Sequence, residues 1–123
     1  MILFNSNIID ILQKALNEQC LDSTLLSSYG IGFKFGEVNL HCHERVIARI
    51  NGEIYEWDDS PNSAPWGSLV RQQFSDVSLT SPNFLKIALQ SGDYIENETV
   101  ENQYESVIIY FPSTGKEIIM ETF

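Results

Sequence analysis

The chain has 123 residues, 43% of them hydrophobic, and its 17 Asp and Glu against 7 Lys and Arg give a formal net charge of -10. This length predicts one domain, spanning residues 1–123, whose core needs neither disulfides nor a metal to hold it. No apolar run approaches the roughly 18 residues that a membrane-spanning helix requires, so we expect no membrane association.

The acidic residues concentrate in two segments. Residues 53–59 hold four acidic side chains and residues 93–105 hold five, and neither segment contains a base. Because nucleic-acid binding depends on Lys and Arg that neutralise phosphates, we expect no direct nucleic-acid partner. Acidic segments of this kind attract basic protein partners over long distances, although they also keep a protein soluble without any partner.

Cysteine usage and the first residues suggest a compartment. Cys20 and Cys42 are the two cysteines, far fewer than a disulfide scaffold carries. The first base of the chain is Lys14, so no basic region precedes the apolar start as it does in a secretory signal. These features predict a cytoplasmic protein with reduced thiols.

The N-terminal half reads as one helix followed by strands. Apolar residues at helical spacing predict a helix over residues 7–18, with Asn5 or Ser6 as its N-cap. Polar and small residues in 21–30 predict a connection, which could include a short turn of helix: Asp22, Ser23, Ser27, Ser28 and Gly30. From Ile31 the apolar residues alternate, and even positions through Ile50 continue the pattern, as in antiparallel strands with one buried face.

Asn51-Gly52 predicts a tight hairpin. This dipeptide favours the two-residue type I′ turn, because both of its residues tolerate positive φ. Such a turn pairs Ile50 with Glu53, Ala48 with Tyr55, and Val46 with Trp57. Both aromatic residues then lie on the face of the apolar even positions.

The second half predicts a loop, a short helix and more strands. Residues 58–65 contain two prolines and form the loop, residues 66–74 show helical spacing, and four later segments alternate. Ile108 and Tyr110 are apolar on the face opposite Val107 and Ile109, which predicts a strand covered on both sides. Together the elements predict an α+β domain with a twisted, mainly antiparallel sheet of about seven strands, an N-terminal helix and one short helix.

The run His41-Cys42-His43-Glu44 is the one cluster with metal-ligand chemistry. On a strand it offers two ligands on each face, whereas a catalytic zinc takes three from the protein. Nucleophile elbows and phosphate-binding glycine loops are missing from the sequence, so we expect no catalytic residue, no bound metal and no cofactor. A small metal- or ligand-binding, enzyme-like domain that uses His41 and His43 is the alternative.

Large aromatic side chains lie among acids around the predicted loop. Interfaces use such aromatics as anchors and the acids as partners for basic groups, although both tryptophans could equally be core residues. The candidate partner-binding residues are Glu53, Tyr55, Glu56, Trp57, Asp58, Asp59 and Trp66.

Four segments carry a family resemblance: INGEIYEW at residues 50–57, APWGSLV at 64–70, SGDYI at 91–95 and QYESVII at 103–109. The region from about residue 30 to residue 111 resembles small bacterial immunity proteins encoded beside polymorphic toxins, including those of contact-dependent growth inhibition systems. The resemblance implies a non-enzymatic protein, a monomer or weak homodimer, that binds and neutralises the toxin domain encoded next to it. Many such toxins are basic nucleases, so the expected mode is occlusion of the toxin's active site by an acidic surface. A structural subunit of a homo-oligomer is a third interpretation.

Overall fold

The computed structural model describes residues 4–27, 30–57, 64–99, 106–111 and 119–123, with the backbone alone for Ile119–Thr122. One α-helix, one turn of 3-10 helix and ten strands follow one another along these residues. In chain order they are α1 (Ser6–Leu16), β1 (Leu21–Leu26), β2 (Ile31–Phe35), β3 (Val38–Cys42), β4 (Val46–Ile50), β5 (Glu53–Trp57), the 3-10 turn (Trp66–Leu69), β6 (Phe74–Ser81), β7 (Phe84–Leu89), β8 (Tyr94–Glu98), β9 (Val107–Phe111) and β10 (Ile119–Thr122).

The N-terminal helix forms as its apolar spacing predicts. Asn5 is the N-cap, and its Oδ1 accepts a hydrogen bond from the backbone N–H of Ile8 at 3.0 Å, which satisfies one of the first free donors of the helix. Ile8, Leu12 and Leu16 are buried. The helix packs against β6.

The strands form two five-stranded antiparallel sheets. Sheet I has the order β1-β2-β3-β9-β10, and sheet II has the order β5-β4-β8-β7-β6. The backbone also links the sheets where Cys20 pairs with Gln73, next to the starts of β1 and β6. The described residues contain no helix that is long and apolar enough to cross a membrane.

Both sheets contribute one apolar face to a single core that also includes α1 and the 3-10 turn. A buried polar contact joins the sheets inside it, because the Cys42 thiol on β3 donates to Asn97 Oδ1 on β8 at 2.8 Å. Burial raises the pKa of the Cys42 thiol far above its usual value, so this sulfur stays protonated. The expected coverage of β9 is confirmed: Val107 and Ile109 are buried, and Ile108 and Tyr110 are half-buried on the other face.

The α+β class is confirmed, and three details differ. Ten strands in two sheets replace about seven in one sheet. The predicted connection at residues 21–30 contains the edge strand β1, which pairs with β2 through a register shift between Leu21 and Ser23. The predicted helix at residues 66–74 is one 3-10 turn, because Arg71 takes a positive φ of 78° and the chain then enters β6.

Candidate partner-binding surface

The β4–β5 hairpin has the register that its turn dipeptide predicts. Asn51 and Gly52 have φ values of 53° and 86°, as the two-residue turn requires, and Val46 pairs with Trp57. Among the described residues, β5 is one of the two outer strands of sheet II, and β6 is the other. The hairpin therefore presents the free edge of β5 and the side chains of that strand at the margin of the sheet.

A buried carboxylate holds the turn of this hairpin in place. Asp93 is 5% exposed, and its Oδ2 accepts hydrogen bonds from the Asn51 N–H and from Gln72 Nε2, each at 3.0 Å. Burial by itself raises the pKa of Asp93, but the bonds from Gln72, Asn51 and the Gly52 N–H and the charge of Arg49 outweigh it and leave the pKa lowered. The carboxylate is thus charged at neutral pH and fixes the turn against β8.

The predicted binding residues divide into exposed and buried groups. Glu53 and Glu56 are exposed, and Tyr55 is half-buried. Trp57 and Trp66 are 0% and 2% exposed and belong to the core, so the structure leaves them no surface on which to anchor a partner. The burial of Trp57 is explained by register, since Trp57 pairs with Val46 on the inner side of sheet II, whereas Trp66 is buried as part of the 3-10 turn. Asp58 and Asp59 lie outside the described residues.

Sequence reasoning missed Ile54 as a surface residue. It is 59% exposed and lies on β5 between Glu53 and Glu56. Its cross-strand partner is Arg49, so it lies on the outer face of sheet II. The predicted hairpin register already placed this position on the face opposite Trp57, and that was the available signal. We call Glu53, Ile54, Tyr55 and Glu56 the β5 surface, in which Ile54 and Glu56 share the outer face while Glu53 and Tyr55 lie at the margin of the face of Trp57.

Bases from other strands reach the acidic segments. Arg45 Nε lies 2.6 Å from Glu56 Oε1, and Arg45 Nη1 lies 3.9 Å from Glu98 Oε2. Lys86 Nζ lies 4.3 Å from the centre of the Tyr94 ring. Both acidic segments are therefore less acidic in space than in sequence, and the outer face of sheet II carries charges of both signs.

On the β5 surface, Glu53 and Tyr55 form a local pair. The Tyr55 hydroxyl donates to Glu53 Oε2 at 3.0 Å. This hydrogen bond raises the pKa of Tyr55. Tyr55 therefore remains a neutral donor at physiological pH, and its hydrogen bond holds the Glu53 carboxylate near the end of the hairpin.

The His41-Cys42-His43 run lies in sheet I, away from β5. His41 is exposed on the outer face of β3, and its pKa is lowered by desolvation of the imidazole and then by His43. Cys42 is buried on the inner face, where its thiol bonds Asn97. Across the ranges that the structure describes, no three His, Cys, Asp or Glu side chains are grouped as metal ligands.

These features define an antiparallel α+β domain of two sheets, with an acidic edge hairpin and a separate histidine-bearing face. The chain matches no protein-family model, and neither a curated protein nor a solved structure matches it.

Proposed function

We propose that this chain is a non-enzymatic immunity protein, which binds a basic toxin domain through the β5 surface and covers its active site. The observation that carries the proposal is the exposed Ile54, which shares the outer face of an edge strand with Glu56. An exposed apolar residue with charged neighbours on the same face matches the centre and rim of a protein interface. The family resemblance supplies the class of partner.

The two kinds of side chain make different contributions to binding. Burial of Ile54 against a partner removes apolar surface from water and slows dissociation. Glu53, and to a smaller extent Glu56 because Arg45 pairs with it, attract a basic partner before contact, which raises the association rate at low salt. Because Asp93 fixes the turn, the hairpin does not have to be ordered on binding, and less entropy is lost.

The test is co-expression with the C-terminal domain encoded by the neighbouring upstream reading frame. We expect that domain to stop growth alone, and this chain to restore growth and to co-purify with it. A harmless neighbour, or a toxic one that neither binds this chain nor is neutralised by it, would refute the proposed function.

Charge-reversal variants test the surface itself. Glu53→Lys with Glu56→Lys should lower the association rate about tenfold at low salt and weaken its salt dependence. The matched control is Asp10→Lys with Glu37→Lys, two exposed acids outside β5, which changes the net charge by the same amount. Equal rates for the two double variants would show that net charge, and not the β5 surface, attracts the toxin.

An Ile54→Ser variant separates contact from attraction. It should raise the dissociation constant by about tenfold or more, and most of this effect should come from a faster dissociation rate. The fold should tolerate it, because the side chain is already exposed in the free protein. Unchanged dissociation from the toxin would place the interface elsewhere.

A further inference from the structure

The outer face of sheet I carries two adjoining depressions. A volume of about 50 Å³ lies beside Ser27, Gly30 and His43, and one of about 270 Å³ lies over β1, β2 and β3. Leu25, Gly32 and His41 line both. The depressions meet above Gly32, where the strand has no side chain, and we call this place the Gly32 slot.

The width of the Gly32 slot is defined by its walls. A Cβ atom added to Gly32 would lie 3.7 Å from Leu25 Cβ and 3.9 Å from His41 Cδ2. These are ordinary van der Waals contacts on both sides, so the slot admits one layer of atoms. A flat group fits between the walls, whereas a group with the thickness of a saturated ring does not.

Both walls are suited to an aromatic ring. Leu25 is 66% exposed, and a ligand that covers it would remove apolar surface from water. The His41 imidazole meets the Tyr110 ring edge-on, with centroids 5.1 Å apart and an interplanar angle of 62°. Tyr110 thereby supports the imidazole, which forms one wall of the slot. Leu25 forms the opposite wall.

The depressions are lined by a cation and by no acid. Lys34 supplies the positive charge, and no lining residue that the structure describes is an Asp or Glu. Lys34 lies two positions after Gly32 on β2 and pairs with Asn39, which lines the same depression. Alternate residues of a strand are about 7 Å apart, which is close to the length of a benzoate ion.

We propose that the Gly32 slot binds a flat organic anion, with an aromatic ring between Leu25 and His41 and a carboxylate or phosphate at Lys34 and Asn39. This site is on sheet I and the β5 surface is on sheet II, so the inference stands or falls independently of the toxin. The ammonium of Lys34 and the amide of Asn39 donate to the oxyanion, and a charge-assisted bond of this kind fixes the orientation of the ring.

The experiment is an NMR titration of the full chain, without any toxin, that follows backbone amide shifts. Benzoate and phenyl phosphate are the probes, and comparison of their affinities identifies the preferred oxyanion. Cyclohexanecarboxylate has the charge without the flat ring, and benzyl alcohol has the flat ring without the charge. We expect both aromatic anions to shift Gly32, Lys34 and His41, and both comparison compounds to bind at least about tenfold more weakly.

Two variants test the slot and its cation. Gly32→Ala should fold normally, since no contact of the new Cβ is shorter than 3.6 Å, yet it fills the slot and should weaken binding at least about tenfold. Gly67→Ala is its control, with nothing within 4 Å of the added atom. Lys34→Gln should also weaken binding about tenfold, and Lys14→Gln on α1 should not.

The outcomes are decisive in either direction. Saturable shifts at these three residues, lost in Gly32→Ala and Lys34→Gln alone, would establish the site. The proposal is overturned if neither anion shifts them at about 10 mM, a weak limit for so small a ligand. Equal binding of benzyl alcohol, or full binding to the Gly32→Ala variant, would also overturn it.

Discussion

Replacement of the carboxylate that holds the β4–β5 turn should destabilise the fold in a pH-dependent way. In Asp93→Asn, the amide oxygen can still accept from Asn51 and Gln72, but it lacks the charge that strengthens both hydrogen bonds. A hydrogen bond to a charged group contributes about 1.5 to 3 kcal/mol, so we expect a loss of about 2 kcal/mol at neutral pH. With an unfolding entropy of about 2.1 cal/mol/K per residue, that loss lowers Tm by about 8 °C.

The pH dependence follows from the lowered pKa of Asp93 in the folded chain. The stabilisation of the fold by ionised Asp93 is fully present above its unfolded pKa of about 3.9. This stabilisation is lost as the pH falls through the lowered pKa of the folded chain. The difference between the original chain and Asp93→Asn should therefore be largest near neutral pH and shrink in acid.

Urea denaturation followed by tryptophan fluorescence over a pH series measures this difference. Asp76→Asn is the control, because Asp76 is exposed and should change stability by less than about 0.5 kcal/mol. Equal stability of Asp93→Asn and the original chain at neutral pH would refute the reasoning. So would a difference that keeps its neutral-pH size as the pH falls well below the unfolded pKa of about 3.9.

Three further predictions concern the core and the sheet I face. Trp57→Ala should cost about 3 to 5 kcal/mol in urea denaturation, because Trp57 is fully buried, and a loss below about 1 kcal/mol would contradict that burial. In the folded chain, Ellman's reagent should modify Cys20 rapidly and Cys42 only on unfolding, since Cys20 is exposed and Cys42 is buried and protonated. Gly30→Ala should lower Tm, because the added Cβ would lie 2.7 Å from a backbone oxygen, whereas Gly32→Ala should not; equal Tm values would contradict this difference.

The sequence correctly predicted the elements that depend only on neighbouring residues. The Asn51-Gly52 turn fixed its own φ values and therefore the pairing of every residue on β4 and β5. The N-cap at Asn5 similarly set the start of α1. Neither feature depends on distant parts of the chain, so the sequence pattern was sufficient.

The missed strand depends on distant contacts. Leu21 is the one buried residue of β1, and the strand is held by pairing with β2 and, at its start, by backbone bonds to residues 71 and 72. An edge strand with so little burial carries no alternation to recognise. The same contacts draw residues 71–73 away from the helix that the spacing of Trp66, Leu69 and Val70 suggested.

The candidate surface was predicted in part. Alternation correctly placed Trp57 with the core face, but aromatic character alone suggested an anchor, and burial excludes that role for Trp57 and Trp66. The same register puts Ile54 outside, which composition alone could not show. The sequence pattern also could not predict how the strands divide between two sheets. Alternation shows which side chains of a strand are buried, but it does not show which strands pair with each other.

The pairing of β3 with β9 has a consequence for the order in which the chain folds. Asn39 pairs with Tyr110, so sheet I is completed across roughly seventy residues, which include all five strands of sheet II. The loop entropy of this contact falls once the hairpins β4–β5, β6–β7 and β7–β8 have formed, since they shorten the effective distance. Sheet II is therefore expected to form first during folding, and the closure of sheet I to limit the rate.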